Sequence, residues 1–151
     1  MIIKSLDHLN QLSKIISKKL ENGDCIFLVG EIGVGKTTFT RFLINNLQNQ
    51  KELKETEVLS PTFNLLYEYE IKDLKIMHYD LYRIKKSNEL DHLGIFSENE
   101  KAVKIIEWPD LIKTPLTNKL EIYLEYGEKD NERKMRIYGR NKWKDLINNE
   151  V

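Results

Sequence analysis

The hydrophobic positions of the chain change period several times, and each change marks an element. Leu6, Leu9, Leu12, Ile16 and Leu20 recur at three- and four-residue steps with polar residues between them. That spacing predicts one apolar stripe on a helix, with Ser5 as its N-cap and Gly23 as its end. The stripe is expected to pack on a sheet, and His8 falls on the polar face. Cys25-Ile26-Phe27-Leu28-Val29 is an unbroken apolar run between Gly23-Asp24 and Gly30, the pattern of a strand buried on both faces. From Lys36 to about Gln48 the helical period returns, through Phe39, Phe42, Leu43 and Leu47.

A charged connector, Lys51 to Glu57, leads to Ser60-Pro61-Thr62-Phe63, where Pro61 predicts a loop or an edge. Leu65 to Glu70 and Leu74 to Tyr79 read as two strands joined near Lys72-Asp73. So short a link cannot make a parallel crossover, so the pair is antiparallel and the sheet is mixed. A brief helix capped by Ser87 runs through Glu89-Leu90-Asp91-His92-Leu93 to Gly94. Ala102 to Ile106 forms another strand, which Pro109 stops. Leu120 to Tyr126 and Lys134 to Tyr138 make a last hairpin around Gly127. Trp143 to Ile147 reads as a terminal helix, with Trp143 as a packing anchor.

A chain of 151 residues suits one domain, 1–151, with a sizeable core. Its 24 basic and 24 acidic residues balance, unlike the basic excess of a free-standing nucleic-acid binder, although a local basic face stays open. The lone Cys25 cannot form an internal disulfide and reads as a buried structural thiol, which fits a cytosolic compartment. No apolar segment reaches transmembrane length and the N-terminus lacks a signal-peptide core, so a cytoplasmic protein without a membrane partner is expected.

Between the first apolar run and the second helix lies Gly30-Glu31-Ile32-Gly33-Val34-Gly35-Lys36-Thr37, or G-x-x-x-x-G-K-T. This is the phosphate-binding loop of nucleoside triphosphatases, and chance matches in so short a chain are rarer than about one in a hundred. Its glycines let backbone N–H groups turn towards phosphate oxygens. Lys36 would reach the β- and γ-phosphates, and the Thr37 hydroxyl would ligate Mg²⁺. Strand, glycine loop and helix follow in the required order, which aims a helix N-terminus at the phosphates. A structural glycine-rich turn is the plain alternative.

Hydrolysis or transfer needs more: a carboxylate to complete the metal site and a group to place the attacking water or hydroxyl. Such groups lie at the carboxyl ends of strands beside the loop. Asp80 and Glu107 each end a predicted strand, although a solvated acid at a strand end is also common. Thr62 could offer a hydroxyl to the metal or γ-phosphate, as switch loops do, or be a turn threonine. His78 shares a strand face with Asp80 and reads as a polar partner in a packed site, not as a base. Tyr79, Tyr82 and Phe63 read as core or rim aromatics.

Taken in order, these pieces resemble the TsaE (YjeE) family of small bacterial ATPases, which serve the threonylcarbamoyl modification of adenosine 37 in tRNA. The matching residues are Gly30 through Thr38, Ser60-Pro61-Thr62-Phe63 and His78-Tyr79-Asp80-Leu81-Tyr82-Arg83. Leu90 through Gly94 and Ile106-Glu107-Trp108 complete the set, which spans nearly the whole chain. The first motif is generic to phosphate-loop proteins, and the others are far more diagnostic.

The resemblance implies a P-loop NTPase-like three-layer α/β/α fold with a mixed central sheet, and ATP and Mg²⁺ as cofactors. It implies that Gly33, Val34, Gly35, Lys36, Thr37 and Thr38 wrap the phosphates, and that Thr37 and Glu107 hold Mg²⁺. Lys36, Asp80 and Thr62 would be catalytic, Asp80 as the Walker B-type acid and Thr62 as the switch threonine. Trp108 would sense nucleotide or partner, Arg133 would lie near the nucleotide with Arg136 competing for that role, and Leu6 would approach the base. TsaD-like and TsaB-like proteins would be the partners, with tRNA reached indirectly through their complex. ATP hydrolysis would reset that complex between turnovers. Asp110 stands where the family often has glutamate, outside the expected site. Two rivals remain: a small-molecule kinase of the phosphate-loop class, and a nucleotide-dependent binding module without turnover.

Overall fold

The structure is a computed structural model that describes residues 1–97 and 101–149. Its strands are β1 (Ile2–Ile3), β2 (Cys25–Val29), β3 (Leu66–Ile71), β4 (Leu74–Asp80), β5 (Val103–Glu107), β6 (Lys119–Tyr126) and β7 (Arg133–Gly139). They form one sheet in the order β1-β7-β6-β2-β5-β4-β3. The four inner strands β6, β2, β5 and β4 run parallel, while β3, β7 and β1 pair antiparallel outside them. The sheet is therefore mixed, as the short link between β3 and β4 requires. Pairing of Ile26 with both Ile105 and Leu120 puts β2 at the centre, where an apolar strand belongs.

Alternation along the strands divides the core between two faces. Ile26, Leu28, Ile76, Val103 and Ile105 face helices α1 (Leu6–Ser17) and α2 (Lys36–Gln50), whose Leu9, Leu12, Ile16, Phe39, Leu43 and Leu47 are buried with them. The terminal helix α3 (Lys144–Asn149) adds Leu146 to this face, and Trp143 before it is fully buried there. Phe27, Met77, Tyr79 and Ile106 point to the opposite face. That layer is built from tight turns, with Leu90 and Ile95 as its buried anchors. Cys25 belongs to it, and burial pushes its thiol up to about 12, as suits a structural residue.

Several boundaries differ from the sequence reading, each for a local reason. The first helix ends at Ser17, not at Gly23. Ser13 and Ser17 turn their hydroxyls onto the carbonyls of Asn10 and Lys14, at 2.7 and 2.8 Å, and the next turn tightens into Lys19-to-Ile16 and Leu20-to-Ser17 bonds. Leu20 stays in the core by that turn. Gly23, at φ 103°, serves the turn into β2 instead. Ser5 does cap the helix, accepting from the His8 amide at 3.1 Å. Ser87 does not cap the segment Ser87–Leu93, which is a 3-10 helix preceded by an extended Lys86 and closed by left-handed Gly94. The short strand β1 leaves no signal in the sequence, because two residues carry no period.

Candidate functional site

The loop grows out of the central strand. β2 ends at Val29, and Gly30 then passes so close to β6 that a Cβ there would lie 2.4 Å from the Leu124 carbonyl oxygen. Gly35, at φ 121°, turns the chain into α2. Between them the carbonyls of Gly30 and Glu31 accept from Lys36 Nζ, at 2.7 and 2.8 Å. Burial holds the Lys36 ammonium below the usual lysine range, and the Glu107 and Asp80 carboxylates oppose that shift. The ammonium also lies 4.4 Å from the centre of the Trp108 ring.

The two acids come from neighbouring strand ends. Asp80 closes β4, Glu107 closes β5, and the two residues are direct partners in the sheet register. Both are buried. Glu107 Oε1 accepts from the Thr37 hydroxyl at 3.0 Å and lies 2.8 Å from His78 Nε2. An ionised carboxylate can only accept, so Nε2 is the donor of this pair, while the buried Nδ1 has no hydrogen-bond partner among the described residues. His78 therefore holds Glu107 and cannot serve as a base through Nε2. Asp80 Oδ2 accepts from the Thr62 hydroxyl at 2.8 Å, and its Oδ1 accepts from the Tyr82 amide at 2.9 Å. Ser60 Oγ lies 2.8 Å from Thr62 Oγ1, so the loop before β3 adds a second hydroxyl behind the one that Asp80 holds.

These groups line one cavity of about 260 Å³, with Gly33, Gly35, Thr37 and Thr38 on its loop side and Trp108 and Tyr82 on its wall. Trp108 takes a left-handed conformation, φ 58°, which turns the chain out of β5, and its ring packs 4.9 Å from that of Tyr82. A second cavity of about 270 Å³ opens on the other side of the loop and shares Gly33, Gly35 and Thr38 with the first. Leu6, Ser5, Asn131 and Arg133 line it, along with Val34. Leu6 is 64% exposed at its rim, although it continues the apolar stripe of α1.

Every residue expected at the site thus borders one of the two cavities. Arg136 does not: it pairs with Glu125 and lies over Tyr123, so Arg133 is the arginine next to the loop. Phe63 is 81% exposed under the Arg83 guanidinium, and Tyr79 is core. Sequence reasoning missed Ser60, Ile32, Ser5, Asn131 and Tyr126, whose hydroxyl bonds the Ile32 carbonyl. Ser60 was within reach as the neighbour of Pro61-Thr62, whereas only three-dimensional pairing brings Tyr126 to the loop. Among the described residues no group of three or more His, Cys, Asp or Glu side chains could hold a metal ion. No helix among the described residues is long and apolar enough to cross a membrane.

Comparison with known proteins identifies the family. Residues 3–135 match the family model for threonylcarbamoyl adenosine biosynthesis protein TsaE. A Rickettsia felis tRNA threonylcarbamoyladenosine biosynthesis protein TsaE is 36% identical over 83% of this chain and 71% of its own length. Its namesake in Rickettsia prowazekii is 34% identical over 92% and 94%, and that of Aquifex aeolicus 33% identical over 91% and 94%. Among solved structures, YdiB of Bacillus subtilus superposes with a TM-score of 0.71 over 99% of this chain and 90% of its own. At 24% identity that likeness speaks for the fold. The family match spans the loop, both acids and the last hairpin as far as Met135, and so this chain belongs to the TsaE family of tRNA threonylcarbamoyladenosine biosynthesis.

Proposed function

We propose that the protein is a Mg²⁺-dependent cytoplasmic ATPase that supports threonylcarbamoylation of tRNA together with TsaD-like and TsaB-like proteins. One observation carries this reading: two hydroxyl–carboxylate pairs, Thr37 with Glu107 and Thr62 with Asp80, meet beneath a phosphate loop on adjacent strand ends. Their hard oxygen atoms suit Mg²⁺, which Thr37 and Glu107 would hold. Held there, the cation would supply positive charge to offset the charge that develops on the phosphate as ATP is hydrolysed.

The chain's own residues account for the rest. Loop amides and the α2 N-terminus bind the phosphates, and Lys36 exchanges its carbonyl partners for phosphate oxygens. Asp80, already holding the Thr62 hydroxyl, orients the water that attacks the γ-phosphorus. The water oxygen bonds to phosphorus, ADP leaves, and the displaced proton passes to phosphate or solvent. Trp108 and Tyr82 line this cavity, while the cavity beside Leu6 and Arg133 takes the adenosine end.

The test is reconstitution with a TsaD-like and a TsaB-like protein, measured as retention on immobilised chain and as release of inorganic phosphate. ATP-dependent retention of both partners with Mg²⁺-dependent phosphate release is expected. Retention of nucleotide with no phosphate released, even with both partners bound, would reduce the protein to a nucleotide-dependent binding module.

A further inference from the structure

Two side chains of the last hairpin touch the loop at alternate peptide units. Tyr126, the last residue of β6, donates its hydroxyl to the Ile32 carbonyl at 2.8 Å. Arg133, the first residue of β7, donates Nε–H to the Val34 carbonyl at 3.1 Å. Arg133 Nη1 is occupied too, donating to the carbonyls of Asp130 and Glu132 at 2.8 and 2.7 Å, and the guanidinium lies 4.6 Å from the centre of the Tyr126 ring. The donors of this arginine that are engaged thus go to main-chain carbonyls, and its flat cation is stacked on the other clamping residue.

Each of these carbonyls shares a peptide plane with the next residue's N–H. No peptide bond among the described residues is cis, so the N–H points opposite to the C=O. A carbonyl of Ile32 turned to Tyr126 sends the Gly33 N–H the other way, and a carbonyl of Val34 turned to Arg133 does the same for Gly35. Gly33 and Gly35 line the cavity with Thr37 and Glu107, and neither Tyr126 nor Arg133 does. With glycine at both positions the loop has little rotational preference of its own, so an external hold on its peptide planes matters.

Building on the phosphate-loop reading, we infer that Tyr126 and Arg133 are positioning residues. They fix the Ile32–Gly33 and Val34–Gly35 peptide planes so that both glycine amides face the phosphates. Arg133 then acts on nucleotide through the loop, as a planar donor, and not as a free charge on the phosphate. Lysine, a compact point charge without that fork, cannot replace it.

The experiment compares wild type, Tyr126→Phe and Arg133→Lys. ADP affinity is measured by calorimetry, adenosine affinity by NMR titration, and the Gly33 and Gly35 amide signals are followed in the free ¹⁵N-labelled proteins. Tyr126→Phe removes one oxygen atom. It should weaken ADP by about three- to tenfold, the size of one ordinary hydrogen bond, and leave adenosine within about twofold. Both glycine amide signals should move in the free protein, with Gly33 the more affected. Arg133→Lys should weaken ADP at least as much despite keeping its charge. Unchanged ADP affinity in Tyr126→Phe, or equal losses for ADP and adenosine, would overturn the inference. Full ADP affinity in Arg133→Lys would return that residue to simple charge recognition. A wild-type chain that binds ADP no better than adenosine would instead remove the phosphate-loop reading, and this inference with it.

Discussion

Glu107 illustrates how much depends on single atoms here, since its Oε1 accepts from Thr37 on the loop helix while His78 holds it from below. Replacing Glu107 or Asp80 by alanine leaves the loop amides and Lys36 in place, so nucleotide affinity should change little. Turnover with the TsaD-like and TsaB-like partners present should fall by about two orders of magnitude or more, as when a positioned group is lost. Steady-state hydrolysis at the wild-type rate in both variants would make them strand-end acids without a chemical part. Lys36→Ala should behave in the opposite sense. It removes charge-assisted contacts worth about 1.5–3 kcal/mol each, so ATP affinity should drop roughly ten- to a hundredfold by calorimetry. Trp108 offers a direct view of the same lysine. As Lys36 leaves the indole, 4.4 Å away, for phosphate oxygens, tryptophan emission should change on adding nucleotide in wild type. Lys36→Ala should lose that response, with fully buried Trp143 as a constant background.

At the scale of elements, the glycine loop depends on strand β6 as much as on its own strand and helix. A Cβ on Gly30 would meet the Leu124 carbonyl at 2.4 Å and the Val34 side chain at 2.8 Å, and backbone cannot swing aside. Gly30→Ala should therefore cost about 1–3 kcal/mol in urea unfolding, as overpacking does, and weaken ATP as well. Stability equal to wild type would mean that β6 yields there. The elements legible in the sequence were those with a long period or a clear run: α2 from Phe39, Leu43 and Leu47, β2 from its apolar run, and β4 and β5 from theirs, the latter stopped by Pro109. Signals were weaker where tertiary pairing decides. Ile2–Ile3 becomes a strand only because β7 lies beside it, and the serine hydroxyls that end α1 early look like ordinary polar-face residues. The hold of Tyr126 on the loop crosses 94 positions of sequence, beyond any local pattern.

For the whole molecule, the nucleotide preference and the partners are linked questions. The chain has no N-K-x-D sequence to read guanine, and the family resemblance favours adenine. Competition should show GTP displacing bound ATP poorly, and a clear preference for GTP would move the protein towards the GTPases. The strand order carries a different consequence, for the making of the protein. β2 has the phosphate loop at its end but pairs only with β5 and β6, which are translated much later, and β1 waits for β7. A ribosome that has reached Trp108 has already written the whole motif, both acids and Thr62. The emerging chain still lacks Leu124 to pack on Gly30, and Tyr126 and Arg133 to hold the loop. Nucleotide therefore cannot act as a template for early folding, and the site closes only as the last hairpin is released. Released fragments that end before Lys119 should show no ATP protection against protease, whereas fragments that extend past Gly139 should acquire it. Protection in the shorter set would mean that three central strands suffice to shape the loop.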